Sequence, residues 1–544
     1  MVELYVNGKI YIERGAFVEA LVVQENKITF TGTNEEAQRQ LSESNEFKVI
    51  DLKGRTVIPG LNDSHLHFMM TAEYLNMLPI SDVTSMEELI VRGKEYVHDQ
   101  KLTKENFLYT EGWNQNQFTD EQRIPNRDDL DQISTEVPIA MGRVDRHIVS
   151  LNSAALDFLG ITKESSSPEG GEIRKHLNGE PTGVLAERAV DIMREKIPKK
   201  SPDELERMFK KTMQLANSQG LTSVHTCDCK DETLFDTFSF YERLEEDFTL
   251  RFYHQIWFND GRYLPNYLAS GFQTGQGTSF NKVGPVKLFA DGALGGRTAA
   301  MRADYADDPG NRGILTKSQE TLNKEVQIAY EHGNQVIIHA IGDKGIEAVL
   351  DAYDAILGED TNNLRLGVNH MQITDTKLVE RLKEKDYIVY VQPIFLEDDI
   401  PIVEERVGKE LARTSYAFGT MEKLGIHQSF STDAPIASFQ PFFNMYCALT
   451  RKRLNGQPTE GYVPSEAMDI YSAVDAYTIE SAYASFEEEE KGRIKPGFLA
   501  DFIVLDRDIF TISPDEVKET KVLTTVVDGQ IVYQAKKLNK GVKR

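Results

Sequence analysis

Thr56-Val57-Ile58-Pro59-Gly60-Leu61-Asn62-Asp63-Ser64-His65-Leu66-His67 sets an apolar run before two histidines. Thr56 to Ile58 read as a β-strand, and Pro59-Gly60 punctuates it. On extended backbone, residues two apart share a face, so the His65 and His67 imidazoles aim at one point. That is metal-ligand spacing, yet surface histidines also meet at it by chance. Its meaning depends on what the other strands carry.

Working outward, short apolar runs alternate with longer helical patterns, which predicts repeated βα units and a parallel sheet. The strand candidates are 56–58, 137–140, 222–225, 286–289, 335–339, 365–370, 387–391 and 428–431. The expected fold is α/β, a (β/α)8 TIM-like barrel over residues 59–491. The polar stretch of about 73–200 holds too much chain for one βα loop, so an inserted lobe is expected there. Residues 1–58 and 492–544 read as short strands forming one small β-sandwich domain from both chain ends. Within it, Asn7-Gly8 reads as a hairpin turn, Phe502–Leu505 as a buried strand and Val526–Tyr533 as a second hairpin.

Four further strand ends carry ligand-type groups: Lys287 inside Val286–Ala290, His339 after Gln335–Ile338, His370 after Arg365–Asn369, and Asp433 after Ser429–Thr432. Barrel enzymes gather catalytic residues at the C-terminal ends of several strands. Four histidines, an aspartate and a lysine offer nitrogen and oxygen donors suited to one or two zinc ions, with iron, manganese or nickel as alternatives. A lysine buried in a barrel needs either a carboxylate partner, for which Asp291 is the neighbour, or deprotonation and use, for instance as a CO2-derived carbamate.

Composition narrows the class. The 544 residues carry a formal charge of −25 and are 40% hydrophobic. No run approaches the ~20 apolar residues of a membrane span. Such a balance argues against nucleic-acid and membrane partners. The basic run Lys536–Arg544 reads as a solvated tail, and the acidic run Glu487–Glu490 as a solvated helix face. Three cysteines, 227, 229 and 447, and a start without a signal-peptide pattern place the expected location in the cytoplasm. His225-Thr226-Cys227-Asp228-Cys229 is read as ordinary strand and buried thiols rather than a second metal cluster. A small-molecule substrate and a homodimer are the default expectations.

The chain resembles the amidohydrolase superfamily, in its YtcJ-like branch, through PGLNDSHLHF at 59–68, KLFADGALGGRTAAM at 287–301, IHAIGDKG at 338–345, NHMQ at 369–372, STDAPI at 431–436 and GRIKPGFLADFIVLD at 492–506. The resemblance implies His65, His67, Lys287, His339, His370 and Asp433 as the metal site, with Lys287 as the carboxylated bridge. Asn369 stands where that pattern has an acidic residue, and Ser431 where it has a glycine. Arg143 and His147 match a further family segment, and with Trp113 and His225 they are the candidate substrate contacts. The implied chemistry is hydrolysis of an amide-like C–N bond by metal-activated water, with Asp433 as catalytic acid–base. Deamination, ester or lactone hydrolysis, and a non-catalytic binding protein on the same barrel are the alternatives.

Overall fold

The computed structural model describes residues 2–40, 47–144, 147–259 and 261–536. It divides into two compact units, Met1–Thr71 with Phe209–Arg544, and Ala72–Met208.

In the first unit, eight parallel strands form one sheet: β1 (Leu61–Leu66), β2 (Leu221–Thr226), β3 (Arg251–Trp257), β4 (Asn281–Phe289), β5 (Val336–Ala340), β6 (Gly367–His370), β7 (Ile388–Val391) and β8 (Gln428–Phe430). They are ordered in space as in the chain, and the intervening helices, among them Leu234–Leu244, Gln319–Glu331, Asp343–Leu357 and Thr376–Glu384, complete a TIM-like barrel. Val336, Ile337 and Ile338 are fully buried, as are Val389, Tyr390 and Val391, the continuous apolar pattern of parallel strands covered on both faces. The sheet order ends at β1 and β8, and short links close this seam. Ser64 Oγ donates to the Phe430 carbonyl at 2.9 Å. Just beyond β8, Asp433 N–H donates to His65 O and His67 N–H to Ala434 O, both at 2.8 Å.

Two of the strand candidates lie outside the barrel, one in the region read as sandwich and one in the region read as the inserted lobe. Thr56–Pro59 belongs to the terminal sheet, paired with Lys9–Glu13 and Phe502–Leu505, and Ile139–Arg143 lies in the second unit. The barrel uses β1 and β3 instead. Both hide from an apolar-run criterion because they bury polar side chains: Asn62, Asp63, Ser64 and His65 on one, Arg251, His254 and Gln255 on the other.

The chain ends build two sheets. One has four strands, with Val2–Val6 between Ala20–Gln24 and Phe47–Asp51. The other has six, running from Gln530–Gln534 through Val522–Val527, Phe502–Leu505, Thr56–Pro59 and Lys9–Glu13 to Ala16–Val18. A shared core containing Tyr5, Leu21, Ile28, Val57, Phe502 and Val526 makes this the β-sandwich. The hairpin at Val526–Tyr533 forms. Asn7-Gly8, however, does not make a hairpin: the strands on either side enter different sheets, so the turn carries the chain across the sandwich. The sandwich is fastened to the barrel by the buried Arg251 of β3. Its guanidinium donates to Asp501 at 2.7 Å and 3.0 Å and to Asp528 at 2.8 Å. The planar fork of an arginine is suited to such paired carboxylates.

The second unit holds a five-stranded sheet ordered Gly171–Lys175, Pro181–Glu187, Ile148–Leu151, Ile139–Arg143 and Leu108–Trp113. Its helix Met86–Asp99 starts at Ser85, whose hydroxyl accepts from Glu88 N–H. Of the basic run, residues 537–544 lie outside the described residues.

The acidic run is not all solvated. Glu487 is 5% exposed and sits between Lys282, at 2.7 Å, and Lys491, at 2.6 Å. Burial alone raises its carboxyl, but Lys491 and Lys282 outweigh it and bring it down to about 2 from the ordinary 4.5. A depressed carboxyl stabilises the fold above its unfolded value, and that contribution disappears as pH falls from 4.5 towards 2. Glu487→Gln leaves two ammonium groups without their carboxylate, and a loss of about 3 kcal/mol is expected. Chemical denaturation at pH 7 checks the loss. The same titration carried below pH 4.5 should show a shallower acid decline in the variant than in the parent.

Candidate metal centre

The C-terminal ends of the barrel strands bring the six expected residues to one region. His65 Nε2 and His67 Nε2 from β1 each lie 3.3 Å from Asp433 Oδ1. His65, His370 and Asp433 place donor atoms within 4.8 Å of one another. The His65 and His370 rings are 5.6 Å apart, and those of His339 and His370 4.5 Å. His339 thus joins the group through His370, and Lys287 through Asn369, one end of whose side-chain amide lies 2.7 Å from Nζ.

Second neighbours fix which imidazole nitrogen faces inward. His65 Nδ1–H donates to Gln255 Oε1 at 2.5 Å, His67 Nδ1–H to the Cys227 carbonyl at 3.0 Å, and His370 Nδ1–H to Gln392 Oε1 at 2.8 Å. Each of these three therefore keeps its lone pair on Nε2. His339 is reversed: Nε2–H donates to the Gly292 carbonyl at 3.0 Å, leaving the lone pair on Nδ1. The glutamines are themselves held, Gln255 by donating to Ser64 O at 2.9 Å and Gln392 by donating to Ser431 Oγ at 2.7 Å.

Electrostatics keep these donors in their ligating forms. Burial lowers His65 to about 4 and His339 to about 3, and drives His370 well below the usual histidine range, so all three are neutral at pH 7. In His67 burial is outweighed by the neighbouring Asp433, and its value rises. Burial pushes Asp433 up, but His65 and His67 dominate and hold the carboxyl well below the usual range. Burial brings Lys287 down to about 8, partly offset by Cys227 and Asp433. Asp291 is no ion partner for this lysine: its carboxylate accepts three backbone N–H groups, from Ala300 at 2.9 Å, Ile341 at 3.0 Å and Gly342 at 2.8 Å.

A divalent ion fits this donor set. Asp433 Oδ1 is buried without a hydrogen-bond partner, although His65 Nε2 and His67 Nε2 each lie 3.3 Å from it. A separation near 3.3 Å is what two ligands of one ion would show with bonds of about 2.0–2.2 Å. The backbone is strained at the same points, since Asp433 and His370 both have positive φ, in the left-handed region. Such geometry costs a non-glycine residue on the order of 1–3 kcal/mol and gathers at functional sites.

The candidate substrate contacts fall differently. Trp113 is fully buried in the core of the second unit, its indole N–H donating to Met141 O at 2.8 Å, which is a packing role. His225 is also fully buried inside the barrel, against Tyr253 at 4.9 Å and Asn62 Nδ2 at 3.3 Å. Arg143 Nε donates to Gln115 Oε1 at 2.8 Å, and exposed His147 meets Glu187 at 3.0 Å. Cys227 and Cys229 are buried free thiols, and Cys229 Sγ faces His254 Nδ1 at 3.7 Å. Gln255 and Gln392 escaped the sequence reading. Gln392 directly follows β7 and meets the strand-end criterion that found the histidines, whereas Gln255 lies within the unrecognised β3.

The profile of the amidohydrolase family matches residues 48–533. The putative amidohydrolase YtcJ of Bacillus subtilis (strain 168) is 33% identical over 543 residues, covering 98% of this chain and 100% of that protein. N-substituted formamide deformylase of Arthrobacter pascens is 26% identical over 549 residues, with 96% of each chain covered. The crystal structure of an uncharacterized metal-dependent hydrolase from Pyrococcus horikoshii OT3 superposes with a TM-score of 0.77 at 26% identity, over 94% of this chain and 99% of that one. These matches span nearly the full length, and the chain belongs to the amidohydrolase family, in its YtcJ-like branch.

Proposed function

We propose that this protein is a metal-dependent hydrolase that cleaves an amide or formamide-like C–N bond in a small-molecule substrate. The observation that carries the reading is the buried, unpartnered Asp433 Oδ1 facing two imidazole nitrogens at 3.3 Å. His65, His67, His370 and Asp433 would hold one ion, with His339 and Lys287 placed to share a second. Zinc suits the neutral imidazoles and the single carboxylate. When bound, a divalent ion lowers the pKa of water towards about 7 and polarises a carbonyl oxygen.

The chain's residues supply the rest. Asp433, held well below the usual carboxylate range, would offer one of its carboxylate oxygens to accept a proton from the attacking water and return it to the leaving nitrogen. Strained backbone at Asp433 and His370 fixes both side chains before substrate arrives. Lys287, brought by burial to about 8, has a neutral fraction near pH 7. An amine adds to CO2 to form a carbamate with release of one proton, giving an anionic oxygen ligand where the lysine stood. The three cysteines are free and buried, in keeping with the reducing cytoplasm where we place the protein.

Three outcomes test this reading. Elemental analysis of the purified chain should find one or two equivalents of divalent metal, and chelation should abolish hydrolysis of N-substituted formamides until metal is restored. Ammonia release from nucleobases, or cleavage of esters or lactones alone, would reassign the reaction; a chain unable to bind divalent metal is a binding protein. Asp433→Asn should fold normally yet lose turnover by about 10³-fold or more, on the scale of general acid–base catalysis, and full activity with metal bound would refute its role. Lys287→Ala should lower activity by about tenfold or more through weaker metal binding. Added acetate or propionate should restore part of it if a carbamate oxygen is what was lost, and intact-mass measurement of the parent should then show the added CO2.

A further inference from the structure

Asn369 lies immediately before His370 at the end of β6 and is fully buried. One end of its amide faces Lys287 Nζ at 2.7 Å, His65 Nε2 at 3.0 Å and His370 Nε2 at 3.1 Å. A lysine ammonium can only donate in this contact, which assigns that end as the oxygen; the amide nitrogen then donates to Tyr390 O at 3.3 Å, in place of the 3.4 Å contact from Gln392 Nε2 that the opposite orientation would have. The two imidazoles have already committed their Nδ1–H groups, His65 to Gln255 and His370 to Gln392. With Nδ1–H committed in this way, Nε2 is the ring nitrogen that each histidine turns toward the amide oxygen.

Three buried atoms of ligand type therefore converge, the oxygen 3.0 Å from one nitrogen and 3.1 Å from the other. Asp433 Oδ1 adds a fourth electron-rich atom, 3.3 Å from His65 Nε2. Such an arrangement is repulsive in a low-dielectric interior unless a cation stands among the atoms. The Lys287 ammonium can meet the amide oxygen, yet it does nothing for the two imidazole lone pairs.

We propose that Asn369 Oδ1 is a neutral oxygen ligand of the metal centre, sharing an ion with His65 and His370, while Lys287 Nζ and Tyr390 O hold the amide in its orientation. The proposal rests on the metal-dependent reading above. A neutral amide in this place leaves the centre one unit more positive than a carboxylate would, which favours polarisation of a carbonyl at some loss of metal affinity.

The test uses the full-length chain stripped of metal and reloaded with cobalt(II), whose visible absorption reports its ligands, together with zinc affinity from competition against a chromophoric chelator. Asn369→Leu should weaken zinc by about tenfold or more and alter the cobalt bands. Asn369→Asp should bind zinc more tightly than the parent and alter the bands in its own way. An Asn369→Leu chain with parental affinity and an unchanged cobalt spectrum would overturn the proposal, leaving Asn369 as a partner of Lys287 alone. Should the leucine variant fail to fold, Asn369→Asp decides by the same criteria, since unchanged affinity and bands there are equally fatal. A parent chain that binds neither metal sinks the metal-dependent reading itself, and this assignment with it.

Discussion

The seam between the first and last barrel strands is the constraint on which the site depends. Asp63, buried in β1, accepts from the Thr432 hydroxyl at 2.6 Å and the Thr432 N–H at 3.1 Å, pinning the segment after β8 against β1. The two backbone bonds beyond it, from Asp433 to His65 and from His67 to Ala434, carry the closure up to the ligands. Barrel closure and assembly of the His65–His67–Asp433 group are therefore one event, joining residues more than three hundred and sixty positions apart. Burial raises the Asp63 carboxyl to about 7 against the pull of its Thr432 and His65 hydrogen bonds. That cost is accepted where the seam must not slip.

Around this seam the protein assembles donors that are electron-rich and starved of protons. Glutamine side chains and backbone carbonyls absorb one ring N–H from each histidine, and burial suppresses imidazolium. An oxygen of Asp433 stays without a hydrogen bond. Each choice is unfavourable in a metal-free interior, and each becomes favourable when a cation is added. The strained φ values at His370 and Asp433 belong to the same pattern, with local cost met by the rigidity of the surrounding barrel.

Much of the site was legible because metal chemistry restricts residue type. His65, His67, Lys287, His339, His370 and Asp433 stand out as ligand-capable groups at the ends of apolar runs, and the structure gathers them. Strand assignment was less legible. Leu61–Leu66 and Arg251–Trp257 are barrel strands whose polar side chains are satisfied only by partners distant in the chain, so their own sequence gives no sign of burial. Thr56–Pro59 has the opposite character, an apolar run as well suited to a sandwich as to a barrel. Glu487 carries the same lesson, since four consecutive acidic residues describe a solvated face until Lys282 and Lys491 are brought to one of them.

By itself the sequence determined the class of fold, the sandwich built from both chain ends and a set of ligand-type candidates at strand ends, because hydrophobic periodicity and ligand chemistry are local properties of residue type and spacing. Only the tertiary structure decided which nitrogen of each histidine faces inward, that Asp291 serves backbone amides rather than Lys287, that Trp113 and His225 are packed among buried neighbours, and that one end of the Asn369 amide lies against Lys287, His65 and His370. Those outcomes depend on hydrogen-bond partners supplied by other strands. A buried polar atom takes its role from whichever donor or acceptor the fold places beside it, and no local pattern records that neighbour.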